Sequence, residues 1–154
     1  MIEGVQIKLM KVNQDERGDF TEILKINEGL LEKIAQASVS TTKPGVIKAF
    51  HWHKNQEDFF YVLEGNIHVV LYDPRESSLT KGITQEIPLG NSYSPSGILI
   101  PREVLHGYKV VGSKSARVLY LMNNTYDPLN PDEQRVPHDD LIIGFNWDKI
   151  KCKK

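Results

Sequence analysis

The sequence predicts an all-β protein with the architecture of a sandwich or a barrel. From residue 37 onward, runs rich in β-branched and aromatic residues are interrupted roughly every eight to twelve residues by Gly, Pro, Asn or Asp, which is the spacing of short strands and turns. The run from Ile67 to Tyr72 also alternates, so that Ile67, Val69 and Leu71 share one face, as in a strand that is buried mainly on one side.

The N-terminal part of the chain contains two predicted strands and one short helix. The strands cover Val5–Val12 and Phe20–Ile26, where β-branched and aromatic residues concentrate. The helix covers Glu28–Ala35, with Asn27 available as its N-cap. Its apolar stripe at helical spacing consists of Leu30, Leu31 and Ile34.

The remaining predicted strands follow in close succession. Gly65 separates two alternating runs, which favours a hairpin turn at that point. In chain order these strands cover Ala37–Thr42, Val46–His53, Phe59–Glu64, Ile67–Tyr72, Ile83–Pro88, Gly97–Ile100, Tyr108–Val111, Arg117–Asn123 and Leu141–Trp147. The two N-terminal strands are additional to this set, and we expect them to fold over a neighbouring element or a partner subunit.

Composition is typical of a soluble globular protein. With 40% hydrophobic and 25% charged residues, residues 1–154 are predicted to form one domain with a sizeable core. The net charge of −1 argues against nucleic acid or an anionic membrane as a partner. No signal peptide and no run of about 18 apolar residues is visible, so we expect a cytoplasmic protein. The single cysteine, Cys152, can form no intramolecular disulfide, and in its Lys-rich tail we expect an exposed thiol.

The candidate functional residues begin in the predicted strand Val46–His53. His51 and His53 are separated by one residue, so both imidazoles project from the same face of a strand and can reach one ligand. Ionisable groups that cluster in this way indicate a functional site. Their possible partners later in the chain are Glu57, Asp58 and His106.

The spacing of these residues resembles the first motif of the cupin superfamily. The match is Gly45-x5-His51-x-His53-x4-Asp58-x6-Gly65, with Asp where cupins usually have Glu; Glu57 gives a version shorter by one residue. Pro101-x4-His106 resembles part of the second motif, although Glu103 replaces its usual Gly and Val110 its usual Asn. The resemblance implies a double-stranded β-helix, or jelly roll, which agrees with the independent strand prediction.

A more particular resemblance covers most of the chain. The sequence is similar to the dTDP-4-dehydrorhamnose 3,5-epimerases, a cupin family of nucleotide-sugar metabolism. The segments that carry this resemblance, in matching order and spacing, are DERGDFTEI (15–23), QASVSTTKPGVIKAFHWH (36–53), IPREVLHGY (100–108), ARVLYLMNNTYDP (116–128) and HDDLIIGFNW (138–147).

The resemblance implies an isomerase that removes and returns protons at C3, C5 or both of a dTDP-4-keto-6-deoxy sugar, in deoxysugar or surface polysaccharide biosynthesis. His51 matches the family's base, Asp140 the carboxylate that orients it, and Tyr120 the acid on the other side of the sugar ring. The resemblance further implies a homodimer and no cofactor. The residues that match family positions near the substrate are Arg17, Glu22, Gln36, Lys48, His53 and His106.

Two departures from the family pattern concern cations. The family's arginine three residues before the base is Lys48 here, and its lysine in the next strand aligns with Asp58. Such cations stabilise the enolate oxygen that proton removal creates, and loss of one oxyanion donor commonly costs about 10²–10³ in rate. In an unbulged strand Lys48 falls on the face opposite His51, so it reaches the site only if the strand bulges.

Three alternatives remain open from the sequence. The departures bring the site closer to metal-binding cupins, in which one divalent ion would be held by His51, His53, Asp58 or Glu57, and His106, although a ligating His51 could not serve as the base. The His-x-His pair also resembles dTDP-sugar 3,4-ketoisomerases, which use two imidazoles without a metal. Loss of the usual lysine is also compatible with a non-catalytic paralogue that binds a nucleotide sugar.

Overall fold

Two antiparallel five-stranded sheets pack face to face in the computed structural model, which describes residues 1–150. The strands are β1 (Gln6–Leu9), β2 (Val12–Asp15), β3 (Gly18–Thr21), β4 (Gln36–Thr42), β5 (Ile47–His53), β6 (Asp58–Glu64), β7 (Asn66–Tyr72), β8 (Thr84–Gly90), β9 (Ser96–Ile100), β10 (Leu105–Val111), β11 (Ala116–Met122) and β12 (Glu133–Arg135). Short 3₁₀ helices cover Ile26–Glu28 and Trp147–Lys149.

The strand orders are β1-β9-β6-β11-β4 in the first sheet and β12-β5-β10-β7-β8 in the second, with β2 and β3 as a separate hairpin. The main core lies between the sheets and is built from inward-facing apolar residues, among them Phe60, Ile67, Val69, Ile98 and Val118. The predicted all-β sandwich is therefore confirmed, and strand alternation provides its core.

Two further apolar clusters cover the outer faces of the sheets. On the first sheet, Leu31 packs against Phe59, Leu99 and Leu121. On the second sheet, the C-terminal segment brings Phe145 and Trp147 against β5, β7 and β10 in a cluster that contains Phe50, Val70 and Leu105. The core strands are consequently buried on both faces, which fixes the strands that carry the ionisable residues.

The predicted helix Glu28–Ala35 was wrong. Only a 3₁₀ turn over Ile26–Glu28 forms, and it ends at Gly29, whose φ of 73° is left-handed and stops a helix. The apolar residues that gave the helical pattern instead cover the first sheet, with Leu31 buried and Leu30 half-buried.

The predicted strand Leu141–Trp147 was also wrong. Ile143, Phe145 and Trp147 are buried and alternate with exposed residues, as the pattern suggested, but the segment forms turns on the outer face of the second sheet and pairs with no strand within residues 1–150. In this segment every second side chain packs against the sheet, but the segment itself is not a strand of that sheet.

The N-terminal strands are shorter than predicted, and two strands, β2 and β12, were missed. The predicted strand Val5–Val12 is interrupted after β1, and the predicted strand Phe20–Ile26 is replaced by β3, which ends at Thr21. The missed strand β12 pairs with the edge of β5, with Arg135 opposite His51. Its sequence, Glu-Gln-Arg, carries no strand propensity of its own.

A β-bulge in β5 controls which side chains face inward. His106 pairs with His51 and Tyr108 pairs with Lys48, so Gly107 alone in β10 lies opposite two residues, Ala49 and Phe50, in β5. A Cβ atom on Gly107 would lie 2.2 Å from Ala49 Cβ and 2.6 Å from Ala49 Cα, so only glycine allows the strands to approach this closely. The bulge shifts the alternation of β5 by one residue.

No helix within residues 1–150 is long and apolar enough to cross a membrane. Cys152, expected to be an exposed thiol, lies outside the described residues.

We predict that Gly107→Ala lowers the free energy of unfolding by about 3 kcal/mol or more, because the added methyl group meets the backbone of a paired strand, which has little freedom to move. Gly82→Ala is the matched control, since its Cβ would have nothing within 4 Å and only its left-handed φ of 78° would cost about 1–2 kcal/mol. Urea unfolding of both variants measures the difference. Equal losses would contradict the close approach at Gly107.

Candidate active site

A cavity of about 610 Å³ opens between the two sheets. Its walls are formed by β4, β6 and β11 of the first sheet and by β5, β10 and β12 of the second. A volume of this size is typical of sites for small molecules. Of the residues predicted to act in catalysis or binding, His51, Tyr120, Gln36, Lys48 and His53 line this cavity.

Three imidazoles and one carboxylate meet at the inner end of the cavity. His51 and His53 come from β5, Asp58 is the first residue of β6, and His106 is paired with His51 across the second sheet. One side-chain nitrogen or oxygen from each of the four residues lies within 4.8 Å of the others. The His51 and His106 rings are in edge contact, with centroids 4.2 Å apart. The sequence prediction that these residues converge is reproduced by the structure.

The second acidic candidate, Glu57, is directed away from this cluster. Its carboxylate accepts a hydrogen bond from the Asn123 side chain (3.0 Å), and its backbone N–H donates to the Asn123 amide oxygen (2.8 Å). The cluster therefore contains Asp58 and not Glu57. This resolves the choice that the cupin spacing left open.

Asp58 is the centre of the cluster. Its Oδ2 atom lies 3.3 Å from His53 Nε2 and 3.2 Å from His106 Nε2. Its Oδ1 atom accepts a hydrogen bond from the Gln56 amide at 2.8 Å. Burial alone would raise the pKa of Asp58, but the contacts with His106 and His53 hold it well below its ordinary value, so this carboxylate is ionised.

The environments of the two β5 histidines differ. Burial and the neighbouring His106 ring lower the pKa of His51 well below its ordinary value, which keeps this imidazole neutral and able to accept a proton. Burial also acts to lower the pKa of His53, but contact with Asp58 outweighs it and raises that pKa. His51 is therefore the imidazole of the pair that is kept unprotonated, as a general base must be.

A chain of hydroxyl groups lies on the wall that the first sheet provides. The Tyr120 hydroxyl is hydrogen-bonded to Ser40 (2.8 Å) and to Tyr108 (2.9 Å), and the Tyr108 hydroxyl reaches the buried Thr42 (2.9 Å). Burial, and then the neighbouring Tyr108, raise the pKa of Tyr120 above its ordinary value, so its hydroxyl stays protonated. Tyr120 can therefore donate a proton into the cavity.

Lys48 lines the cavity because β5 bulges. The sequence analysis required a bulge in this strand for Lys48 to reach the site, and the structure contains that bulge. Ile47 and Ala49 also reach the cavity, but they pack at the same time against the outer apolar cluster. The bulge brings Lys48 to the cavity, because one extra residue reverses the alternation along the strand.

Several cavity residues were missed from the sequence. Arg135 and Glu133 come from β12 and form an ion pair at 2.6 Å, and the Arg135 side chain is 83% exposed. No strand signal marked their segment. Tyr108 was detectable, because alternation in β10 places it on the same face as His106. The place of Gln56 in the site could be inferred only once Asp58 was known to be the carboxylate of the cluster.

The predicted contact between Asp140 and His51 is not formed. Asp140 Oδ1 accepts hydrogen bonds from the backbone N–H groups of Ile142 (2.9 Å) and Ile143 (3.2 Å), so it caps a turn in the C-terminal segment. Asp140 does not line the cavity, and no hydrogen bond joins it to His51. The segment was expected to be a strand, and its actual turns direct this carboxylate to its own backbone.

Arg17 and Glu22 lie outside the cavity of their own chain. Arg17 occupies the turn between β2 and β3, is 81% exposed and pairs with Asp15 at 2.5 Å. Glu22 follows β3 and pairs with Lys25 at 2.8 Å. Gln36 does line the cavity, where its amide donates to Ser38 and accepts from the backbone N–H of Tyr126.

The chain was compared with known proteins. A family model described as dTDP-4-dehydrorhamnose 3,5-epimerase matches residues 1–154. The spore coat polysaccharide biosynthesis protein SpsL of Bacillus subtilis is 46% identical over 147 residues, which is 96% of this chain and 97% of that protein.

Solved structures have the same fold. A dTDP sugar isomerase from Desulfovibrio desulfuricans superposes with a TM-score of 0.91 and 27% identity, covering 98% of this chain and 95% of that one. A dTDP-6-deoxy-D-glucose-3,5-epimerase from Legionella pneumophila, solved with dTDP-4-keto-L-rhamnose, gives a TM-score of 0.83 and 26% identity, covering 95% of this chain and 79% of that one. The predicted jelly roll is confirmed by these likenesses.

We predict that Tyr108→Phe lowers the free energy of unfolding by about 1–3 kcal/mol, because it leaves the buried Thr42 hydroxyl without its tyrosine partner. Tyr93→Phe is the control, since Tyr93 is 39% exposed and its hydroxyl has no such buried partner within residues 1–150. Chemical denaturation measures both. If the free energy of unfolding of Tyr108→Phe equals that of the wild type, the hydroxyl chain contributes nothing to the stability of the fold.

Proposed function

Since the chain belongs to the dTDP-4-dehydrorhamnose 3,5-epimerase family, we propose that it epimerises a dTDP-linked 4-keto-6-deoxy sugar at C3, C5 or both. Each inversion would proceed by proton removal beside the ketone, through an enolate, and proton return to the opposite face. The bound ligand of the Legionella pneumophila structure supports this class of substrate. The name of the Bacillus subtilis relative supports a role in polysaccharide biosynthesis.

One observation carries the proposal: a neutral imidazole and a protonated phenol enter the same cavity from opposite sheets. His51 comes from β5 of the second sheet and Tyr120 from β11 of the first. A sugar ring bound between them would present one face to each. Epimerisation requires this arrangement, because the proton must leave from one face and return to the other.

His51 is assigned as the base. Its lowered pKa keeps the ring unprotonated, and no hydrogen bond within residues 1–150 occupies its nitrogens. His53 is less suited to this role, because it is 7% exposed and in contact with Asp58. This difference favours an epimerase with one imidazole base over a ketoisomerase that shuttles protons with two.

Tyr120 is assigned as the acid, and Tyr108 and Ser40 support it. Their hydroxyls contact the Tyr120 hydroxyl at 2.9 and 2.8 Å, so a proton that Tyr120 gives up can be replaced along the chain. Lys48 supplies a cation on the cavity wall three residues before His51, where the resemblance implies an arginine.

The proposed substrate is a small molecule, and the reaction leaves its oxidation state unchanged. No redox or organic cofactor is therefore needed. We place the enzyme in the cytoplasm, since nucleotide sugars are cytoplasmic metabolites.

We also propose that the chain acts as a homodimer in which the β2–β3 hairpin serves the partner subunit. Arg17 lies outside its own chain's cavity. Phe20 in β3 is 64% exposed, Val12 in β2 is 41% exposed, and the neighbouring Leu9 is 72% exposed, which is unusual for such apolar side chains in a free hairpin. A partner's surface would cover them and would place Arg17 near a second cavity.

We predict that His51→Ala lowers the rate of solvent deuterium incorporation into dTDP-4-keto-6-deoxyglucose by about 10²–10⁴-fold, because the base is removed. Mass spectrometry of the sugar in D₂O measures the exchange. His68→Ala is the control, since His68 pairs with Glu86 away from the cavity, and it should exchange at the wild-type rate. Exchange by His51→Ala at the wild-type rate would refute the assignment.

For Tyr120→Phe we expect exchange to continue while epimerised product falls by about 10²-fold, because His51 can still remove a proton but returns it to the same face. NMR of the product sugar separates retained from inverted centres. Loss of exchange together with inversion would contradict the division of roles between the two residues.

Mixing two inactive variants tests the proposed exchange of hairpins. In a 1:1 mixture of Arg17→Ala and His51→Ala chains, about a quarter of wild-type activity should return, because half of the dimers are mixed and each contains one intact site. Light scattering establishes the dimer independently. A monomeric chain, or a dimeric mixture without recovered activity, would exclude the shared site.

A further inference from the structure

The contacts of Asp58 leave its Oδ2 atom facing two imidazole nitrogens. His106 Nδ1 donates its hydrogen to the Val104 carbonyl at 2.9 Å, since a carbonyl can only accept. In the neutral ring, His106 Nε2 then carries a lone pair, and this atom lies 3.2 Å from the carboxylate oxygen. A lone pair and an anionic oxygen at this distance repel each other unless a cation or a proton lies between them.

One of the imidazole nitrogens that face Asp58 has no partner in the protein. His106 Nε2 is buried and has no hydrogen-bond partner within residues 1–150, whereas the unpartnered nitrogen of His53 is Nδ1, which is not the atom that faces Asp58. The two residues are 2% and 7% exposed, and Asp58 is 4% exposed. Buried polar atoms are nearly always paired, so His106 Nε2 needs an explanation.

We propose that His53, Asp58 and His106 bind one divalent transition-metal ion. Two imidazoles and one carboxylate suit ions such as Zn²⁺, Fe²⁺, Mn²⁺ or Co²⁺. Ligands bonded at about 2.0–2.2 Å lie about 3 Å from one another around such an ion. The observed separations from Asp58 Oδ2, 3.3 Å to His53 Nε2 and 3.2 Å to His106 Nε2, are close to this value.

Two of these three residues are held by groups of the kind that hold metal ligands in place. The Val104 carbonyl fixes the His106 ring so that Nε2 faces the cluster, and the Gln56 amide holds Asp58 Oδ1 at 2.8 Å. Ligand histidines commonly donate their second N–H to a carbonyl in this way, and ligand carboxylates are themselves hydrogen-bonded.

His51 belongs to the same cluster, but among residues 1–150 only His53 and His106 form ion pairs with Asp58, so His51 is not assigned as a ligand. Its ring therefore keeps its role as the base with the ion in place. An ion here would restore positive charge where Asp58 replaces the lysine that the family resemblance implies, and would polarise the ketone oxygen. That role rests on the proposed function, whereas binding of the ion does not.

The test uses full-length protein without an affinity tag. After dialysis against EDTA, it is titrated with Co²⁺ and followed by visible absorption, and thermal unfolding is recorded with Zn²⁺. We expect one ion per chain and an increase in the unfolding temperature on the order of 5 °C at 100-fold excess over the dissociation constant. His53→Asn, Asp58→Asn and His106→Gln, chosen for their similar size, should each weaken binding by more than about 100-fold.

One histidine variant outside the cluster serves as the control. His68→Ala should bind the ion as the wild type does, since His68 pairs with Glu86 away from the cavity. Circular dichroism establishes that each variant is folded; if an asparagine or glutamine variant is not, Co²⁺ absorption of the wild type still decides whether imidazole ligands are present.

Three results would overturn the inference. They are the absence of saturable binding at one ion per chain, unchanged binding in all three ligand variants, and loss of binding in His68→Ala equal to that in His53→Asn. Deuterium exchange measured on the same samples keeps the two proposals separate. If exchange occurs in protein that binds no metal, the proposed epimerase activity stands and the proposed metal site is refuted. If metal binds but no exchange occurs, the metal site stands and the epimerase activity is refuted.

Discussion

The pairing of β5 with β10 at Gly107 is the constraint on which the site depends. The absence of a side chain there lets Ala49 approach the β10 backbone, and the bulge that follows places one extra residue in β5. As a result Lys48 and His51 both line the cavity although they are three positions apart. In a regular strand, residues separated by three positions face opposite sides, so the cation and the base would not share a wall.

Burial then gives the site its chemical asymmetry. The same low-polarity environment disfavours the charged form of His51 and of Tyr120, which keeps the first unprotonated and the second protonated. Asp58 is the exception, because two imidazoles surround it and favour its ionised form. A neutral acceptor and a neutral donor thus face each other beside a buried anion. That buried anion, with its neighbouring imidazoles, is the feature that favours a bound cation.

The sequence was sufficient to predict the strands with alternating residues and the convergence of the histidines, because the period of a strand determines which face each side chain lies on. It was insufficient where the same residue pattern is compatible with two different structures. The alternating residues of 141–147 pack on a sheet without joining it, and Asp140 consequently caps a turn. The choice between Glu57 and Asp58 depended on Asn123, which is distant in sequence. β12 has no propensity for a strand and forms only because the edge of β5 is available to pair.

The central claim is that a sugar ketone binds between His51 and Tyr120. A crystal structure with a dTDP-linked 4-keto sugar tests it most directly. The account predicts that C3 or C5 of the sugar lies within about 3–3.5 Å of a His51 ring nitrogen, with the Tyr120 hydroxyl on the opposite face of the ring. A sugar bound with neither carbon near His51, or with both side chains on one face, would contradict it.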